Sequence, residues 1–279
     1  MSIRLFDETS KEISKKISLN YSTSFSLGIK LLAKEYRWAV FATYGFVRLA
    51  DEIVDTFHDH PQEELLQKFK VETYQAIAAG ISLNPILHSF QLTVNKYGID
   101  HNLIEAFFKS MEMDLSKSHY DDYGYREYIY GSAEVVGLMC LYVFCEGDKE
   151  KYNSLAPAAK SLGAAFQKVN FLRDIKADYQ GLSRMYFPGC DFSNFTWKDK
   201  LAIEQDIQND FRMAFKGIQH LPIKARFGVY VAYKYYLSLF KKIKNLEPAR
   251  VLDTRIRIPN FYKAMIVLRA GLKNQLRLL

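Results

Sequence analysis

Apolar residues recur every three to four positions along most of the chain, which is the spacing of helices that bury one face. This pattern predicts helices over residues 7–20, 34–57, 62–80, 84–98, 101–117, 157–180, 197–216 and 222–246. A turn at 119–125 leads into a further apolar helical segment, 128–137. No stretch alternates with the period of two that half-buried strands require. We therefore expect an all-α fold of roughly eight to ten helices.

Glycine and proline are scarce, with 14 and 7 residues, and no linker-like stretch divides the chain. Both facts favour long helices in one domain spanning residues 1–279. The hydroxyl-rich segment 21–26 interrupts the helical pattern. Its composition is typical of a loop that ends in an N-cap, and the alternative interpretation is a cluster of hydroxyl donors for phosphate oxygens.

Two helical segments carry polar stripes within otherwise apolar surroundings. Asn170, Asp174 and Asp178 follow one another at steps of four, so they share one helix face. A buried polar stripe is costly unless something pairs with it, and oxygen ligands at this spacing suit hard cations such as Mg²⁺.

The earlier stripe begins aromatic, passes through a guanidinium and ends in two carboxylates. Its members are Phe41, Tyr44, Arg48, Asp51 and Asp55, at steps of three, four, three and four. A solvent-facing pair of aspartates is the common alternative, but the neighbouring Ile53 and Val54 must also be buried. We expect the two stripes to face each other. For Asp114, near a predicted helix end, we expect capping or surface exposure.

Charge and cysteine content narrow the classes of partner and compartment. The net charge of +7 suits an acidic ligand or a weak contact with an anionic membrane. No run of five Lys or Arg residues and no nucleic-acid-binding motif occurs, so we expect no nucleic acid. Three cysteines without metal-type spacing indicate reduced thiols. Without a signal-peptide pattern or an apolar run of about 20 residues, we expect a cytoplasmic protein with at most peripheral membrane contact.

Two facing acidic stripes with arginines beside them fit the chemistry of prenyl diphosphates. A diphosphate leaving group needs divalent cations to accept its charge, and the carbocation left behind needs a dry apolar pocket. Aromatic faces stabilise cations, and the chain has 20 Phe and 19 Tyr. This aromatic share has two explanations that stay open here, a cavity lined by rings or a generally Phe- and Tyr-rich composition.

Four segments resemble the squalene/phytoene synthase family of head-to-head prenyl transferases, and its bacterial phytoene synthases most. In order, they are 21–25, 44–55, 128–137 and 167–178, followed by 184–188. The resemblance implies the isoprenoid synthase fold, a single helical domain around a central apolar cavity with two facing aspartate-rich helices. It implies a Mg²⁺ cluster, or Mn²⁺ in its place, bound by Asp51, Asp55, Asn170, Asp174 and Asp178.

The resemblance also assigns residues to the substrates. It implies that the diphosphates are bound by Ser22, Ser24, Arg48, Tyr128, Gln167 and Arg173. Tyr236 and Arg255 would form a C-terminal pair that closes over the same phosphates. The residues implied to be catalytic are Arg48, Asp51, Asp55, Tyr128, Asp174 and Asp178. Phe25, Ile29 and Phe41 would line the prenyl channel and set its depth.

The implied reaction joins two geranylgeranyl diphosphates through a cyclopropylcarbinyl diphosphate (prephytoene diphosphate) to phytoene, the first step of C40 carotenoid biosynthesis. The aliphatic Ile29 favours this longer tail. The alternative is a C30 enzyme that joins two farnesyl diphosphates, and a third reading is a non-catalytic assembly factor of the same fold. Because the chain shows no nicotinamide fingerprint and no C-terminal anchor, we do not expect NADPH. The sequence leaves the oligomeric state open.

Two positions depart from the family pattern. Glu134 stands where the family usually has glycine, so it would pair with an arginine at the cavity wall or point away. Tyr21 stands where some relatives carry histidine, which puts an acid–base role there in doubt.

Overall fold

Helices account for nearly all regular structure in the computed structural model, which describes residues 2–117, 119–181, 185–190, 194–253 and 255–275. Side chains are described for these residues except 177–181, 260, 274 and 275. The α-helices are α1 (Ile3–Tyr21), α2 (Thr23–Lys30), α3 (Lys34–Asp55), α4 (Gln62–Ala79), α5 (Pro85–Tyr97), α6 (His101–Ser116), α7 (Asp122–Ile129), α8 (Val135–Cys145), α9 (Lys149–Gly181), α10 (Trp197–Ile218), α11 (Ile223–Lys244), α12 (Pro248–Asp253) and α13 (Asn260–Gln275). Within the described ranges, β structure is limited to one isolated bridge, between His119 and Met185. The expectation of an all-α fold is therefore confirmed.

Helix α2 occupies a segment for which composition predicted a loop. Ser22 caps it, and its hydroxyl accepts a hydrogen bond from the backbone N–H of Phe25 at 3.2 Å. The cap satisfies one of the N–H groups that a helix leaves without a partner at its start. The hydroxyl-rich composition therefore marks the beginning of a helix.

Helices α7 and α8 are joined without a break by one turn of π-helix, Tyr130–Glu134. Glycines allow very close packing here, since an added Cβ would lie 2.4 Å from the Ala106 carbonyl oxygen at Gly131. At Gly163 on α9, an added Cβ would lie 2.4 Å from the carbonyl oxygen of Ala133. Two helices therefore press directly on the π-helical turn.

The continuous helical stretch Asp122–Cys145 is long and apolar enough to cross a membrane by length and composition. In its most apolar window, 61% is buried inside the protein, as in the core helix of a folded domain. It packs against α3, α6 and α9, so neighbouring helices cover much of its surface.

Ring contacts show that α8 runs antiparallel to both α3 and α9. At one end, Tyr36 of α3 lies 5.7 Å from Phe144 near the end of α8. At the other, Tyr128 lies 6.0 Å from Phe171 in the second half of α9. The C-terminal halves of α3 and α9 therefore meet at the same end of the molecule, which brings both polar stripes together.

Candidate active site

A cavity of about 1010 Å³ lies between α2, α3, α8, α9 and α11 and is also lined by residues 255–258. Its polar end is formed by Arg48, Asp51, Asp55, Asn170, Arg173, Asp174, Tyr236 and Arg255. Its other end is lined by Phe144, Leu155, Ala158, Gly217, Ile218 and Leu221. The rings along the wall include Phe25, Tyr44, Tyr128, Phe166, Phe171, Tyr186 and Tyr235. Many aromatic residues therefore line this cavity, as one of the two explanations of the aromatic content requires.

The α3 wall carries the earlier stripe. Tyr44, Arg48, Asp51 and Asp55 all line the cavity, while Ile53 and Val54 on the other side of the helix are buried in the core. Arg48 forms ion pairs with Asp51, at 3.7 Å, and with Glu52. Its guanidinium also lies over the ring of Tyr21, 4.5 Å from the centroid. The arginine is thereby held beside the carboxylates with its charge at the polar end of the cavity.

Phe41, the first residue of the predicted stripe, does not line the cavity. Its side chain is buried in the hydrophobic core, and Val40 lines the cavity in its place. The assignment of Phe41 to the prenyl channel is therefore wrong. One residue along a helix turns the side chain by about 100°, so a stripe drawn at steps of three and four drifts off the cavity face after several turns.

Asp51 sits in an environment that disfavours its charge. Burial, and next the negative charge of Asp55, raise the pKa of Asp51 to about 7, although Arg48 opposes the shift. Its side chain is 30% exposed, and this exposed part lies at the cavity. A divalent cation next to Asp51 would remove the conflict, because it favours the ionised form of a ligating carboxylate.

The α9 wall presents Gln167, Asn170, Arg173 and Asp174 to the cavity. The amide of Asn170 hydrogen-bonds Tyr236. Burial raises the pKa of Tyr236, and the charge of Arg173 and this hydrogen bond offset part of that shift. The Oδ1 atom of Asn170 is buried and has no hydrogen-bond partner. An orphaned amide oxygen that faces a cavity is a ready ligand for a cation. Asp178, the last predicted ligand, has a side chain outside the described residues.

Asp174 is held by two arginines from different parts of the chain. The Nε atom of Arg173 lies 3.1 Å from both carboxylate oxygens, and the Nε atom of Arg255 lies 2.9 Å from Oδ1. Tyr236 also lines this end, where its ring stacks on Phe166 at 3.9 Å. The structure thus brings the predicted C-terminal pair, Tyr236 and Arg255, to the same place as the α9 stripe.

The start of α2 contributes the remaining predicted residues. Ser22, Ser24, Phe25 and Ile29 all line the cavity. The ring of Phe25 stacks on that of Tyr44 at 5.2 Å, which joins α2 to the stripe on α3. The hydroxyls therefore lie near the acidic walls, and Ile29, one turn further on, lines the cavity as well.

Asp114 is a cavity residue that the sequence did not reveal. It is buried and lines the cavity, and its Oδ2 atom accepts a hydrogen bond from the Tyr128 hydroxyl at 2.9 Å. The expectation of a cap or a surface position is therefore wrong. The flanking apolar residues Met111, Met113 and Leu115 are the signal that this helix end is buried.

Two further polar groups of α8 and its π-helical turn face the same space. The hydroxyl oxygen of Ser132 is buried without a hydrogen-bond partner, and the thiol of Cys140 has its pKa raised to about 12 by burial. The three cysteines are free. Cys140 therefore acts as an inert wall group at neutral pH.

Glu134 resolves one of the open alternatives. It does not line the cavity but lies near Lys160 and Lys168 on α9. Burial raises the pKa of Glu134, and the charge of Lys160 offsets part of that shift. The residue therefore points away from the cavity, towards lysines rather than an arginine.

The donor set fits magnesium that is shared with a bound anion. Among the described residues, no three acidic, imidazole or thiol groups converge on one point. Asp51 and Asp55 stand on α3, whereas Asn170 and Asp174 stand on α9. Magnesium is usually held by one or two carboxylates together with substrate phosphates, so these two pairs are the residues that would hold it beside a phosphate-bearing ligand.

Comparisons with known proteins agree with this geometry. A model of the squalene/phytoene synthase family matches residues 19–262. Phytoene synthase of Arthrospira platensis is 26% identical, over 95% of this chain and 93% of that protein. The 4,4'-diapophytoene synthase of Staphylococcus haemolyticus is also 26% identical, over 70% of this chain and 68% of its own.

Solved structures support the fold. A dehydrosqualene synthase superposes with a TM-score of 0.83 at 18% identity, over 96% of this chain and 98% of that one. A squalene synthase from Alicyclobacillus acidocaldarius superposes with a TM-score of 0.74 at 18% identity, over 88% and 95%. The predicted isoprenoid synthase fold is therefore confirmed. The chain belongs to the squalene/phytoene synthase family, whose members join two prenyl diphosphates head to head.

Proposed function

We propose that this protein condenses two molecules of geranylgeranyl diphosphate into phytoene in the presence of Mg²⁺ and without NADPH. The observation that carries the proposal is a single cavity with two acidic walls at one end and a long apolar channel behind them. The 15 helical steps of α9 from Leu155 to Asn170 give this channel a length of about 22 Å. Its volume of about 1010 Å³ lies at the upper end of the range for small-molecule sites, as expected for two long substrates.

Each wall has a role in the first ionisation. Bound Mg²⁺ would neutralise the charge that develops on the departing diphosphate. Asp51 and Asp55 on one wall, with Asn170 and Asp174 on the other, would hold Mg²⁺ beside that group, and Arg48 and Arg173 would donate hydrogen bonds to its oxygens. Cleavage of the carbon–oxygen bond leaves an allylic cation in the channel, where water is excluded.

The second substrate supplies the electrons. Its double bond attacks the allylic cation, and loss of a proton closes a cyclopropylcarbinyl diphosphate. A second ionisation releases the second diphosphate, and rearrangement followed by proton loss gives phytoene. Stacked rings such as Phe166 with Tyr236 and Phe171 with Tyr186, both at 3.9 Å, present faces that stabilise the cations.

The tyrosines of the site act as hydrogen-bond donors. Burial raises the pKa of Tyr44 to about 12, and burial together with Asp114 raises the pKa of Tyr128 well above its usual value. Both phenols therefore stay protonated at neutral pH. The Tyr44 hydroxyl can donate to a diphosphate oxygen, whereas the Tyr128 hydroxyl donates to Asp114. The released diphosphate is the remaining acceptor for the departing proton.

A C30 reaction is the second candidate, and the likeness to a 4,4'-diapophytoene synthase favours it. A product assay distinguishes the two functions. The purified protein is given geranylgeranyl or farnesyl diphosphate with Mg²⁺, each with and without NADPH. We expect a C40 hydrocarbon from the longer substrate and no dependence on NADPH. A product from farnesyl diphosphate alone would overturn the C40 assignment, and no product from either would overturn the enzymatic function.

A further inference from the structure

Helix α13 is apolar on two opposite faces. Its inner face packs on the core through Ile266, Val267 and Ala270, mainly against α11. Its outer face carries an apolar stripe, Phe261, Met265, Leu268 and Leu272, at steps of four, three and four. Phe261, Leu268 and Leu272 are 71%, 66% and 53% exposed. A helix with two apolar faces, of which the protein covers one, is suited to an apolar environment on the other side.

The charge around this outer stripe has one sign. From residue 255 to residue 279 the sequence contains no Asp or Glu and the cations Arg255, Arg257, Lys263, Arg269, Lys273 and Arg277. Arg269 and Lys273 are exposed and lie one position after Leu268 and Leu272, so they flank the outer stripe on one side. An apolar stripe with a basic border is the pattern of helices that lie in a membrane interface.

We propose that α13 binds the surface of a bilayer that contains anionic lipids. The apolar stripe enters the interface, while Arg269 and Lys273 contact the lipid headgroups. A second copy of the chain fits this face less well. In a two-fold contact the same patch meets itself, so the basic border would oppose its own charge.

The position of α13 connects the bilayer with the cavity. Lys263, in the first turn, lines the cavity, and its Nζ atom donates to the Thr23 hydroxyl at 2.7 Å. Arg257 and Ile258, just before the helix, line the cavity as well. A docked α13 therefore places this side of the cavity at the bilayer, where an apolar product can leave. This consequence rests on the proposed function, whereas the docking itself does not.

Flotation of the full chain with lipid vesicles tests the docking, without any prenyl substrate. The vesicles consist of equal parts phosphatidylglycerol and phosphatidylcholine, or of phosphatidylcholine alone, at low salt. We expect binding to the anionic vesicles, and a drop of about tenfold in partitioning for Leu268→Ser/Leu272→Ser and for Arg269→Gln/Lys273→Gln. Leu83→Ser, at a residue that is 94% exposed outside α13, is the matched control and should bind as the wild type does.

Three results would overturn the proposal: equal binding to both kinds of vesicle, no binding to either, or unchanged binding by both double variants. Light scattering after size-exclusion chromatography distinguishes the second-copy alternative. If the wild type is a dimer and Leu268→Ser/Leu272→Ser is a monomer with unchanged circular dichroism, the stripe is an interface between copies. Because the vesicle assay contains no substrate, a negative result in it overturns the docking proposal and leaves the proposed reaction unaffected.

Discussion

At the scale of single residues, Asp51 combines a buried position with a nearby like charge. Its pKa rises from 3.8 to about 7 in the folded protein. Since the folded pKa lies above the unfolded one, ionisation of Asp51 destabilises the fold at pH above 7, and this effect disappears as the pH falls to about 4. In Mg²⁺-free buffer at pH 8, Asp51→Asn should raise the free energy of unfolding by about 1 kcal/mol, since water in the cavity screens part of the burial cost.

Urea unfolding at pH 8 and pH 4 measures this difference, which should be nearly absent at pH 4. If Asp51→Asn instead lowers the stability at pH 8, the ion pair with Arg48 outweighs the burial of the carboxylate.

The same pKa predicts that protons compete with Mg²⁺ below about pH 7, so the apparent affinity for Mg²⁺ should fall as the pH is lowered.

Ile29 tests the depth of the prenyl channel. It lines the cavity one turn beyond Phe25, so Ile29→Phe adds a ring where the longer tail would lie. We expect the ratio of kcat/KM for geranylgeranyl over farnesyl diphosphate to fall by about tenfold or more. Phe41→Leu is the control, because Phe41 is buried outside the cavity; it should lower stability by about 1 kcal/mol and leave the ratio unchanged. If Phe41→Leu changes the ratio of kcat/KM values and Ile29→Phe does not, the assignment of Ile29 to the channel is contradicted.

Residue-scale prediction from the sequence succeeded where helical periodicity and residue chemistry agree. The polar members of the two stripes whose side chains are described all line the cavity, because steps of three and four keep successive side chains near one helix face. The prediction that Phe41 lines the channel was wrong because the stripe was extended too far along α3. The prediction that Asp114 is a cap or a surface residue was wrong because its burial depends on Tyr128, which is 14 residues away and packs against it only in the fold.

At the scale of helices, α9 and the π-helical turn make one of the closest contacts around the cavity. A Cβ at Gly163 would lie 2.4 Å from the carbonyl oxygen of Ala133, with backbone atoms that cannot rotate away. Gly163→Ala should therefore lower the free energy of unfolding by about 3 kcal/mol and reduce turnover. Thermal unfolding and steady-state rates measure the two effects.

Gly271→Ala is the matched control, since nothing lies within 4 Å of a Cβ at that helical position. It should leave the rate unchanged and raise stability by up to about 1 kcal/mol, because alanine favours the helix over glycine. Equal effects of the two substitutions would show that the close approach at Gly163 is not needed.

Most helices could be predicted from their apolar periodicity, but two connections could not. The segment 21–26 reads as a loop because hydroxyl side chains compete for backbone hydrogen bonds, yet Ser22 uses that property to cap α2. The π-helical turn between α7 and α8 has no local signature. It depends on the approach of α6 and α9 at Gly131 and Gly163, which only the packed structure reveals.

At the scale of the whole molecule, the antiparallel arrangement of α3, α8 and α9 gives the cavity its polarity. The sequence predicted two stripes that face each other, and the α3 and α9 stripes both reach the polar end. Periodicity could not place Arg255, from beyond α12, beside Asp174, at 2.9 Å; only the family resemblance assigned it to this end of the cavity. Contacts between segments so distant in the chain depend on topology, which periodicity does not report.

The central claim is that these two walls act together on the diphosphate. The most direct measurement is release of diphosphate from geranylgeranyl diphosphate and Mg²⁺ by the wild type, Asp51→Ala and Asp174→Ala, with folding checked by circular dichroism. We expect each substitution to slow release by about a hundredfold or more, whereas the control Asp59→Ala, at an exposed carboxylate just beyond α3, releases diphosphate at the wild-type rate. Wild-type release by a folded Asp51→Ala or Asp174→Ala protein would contradict the claim.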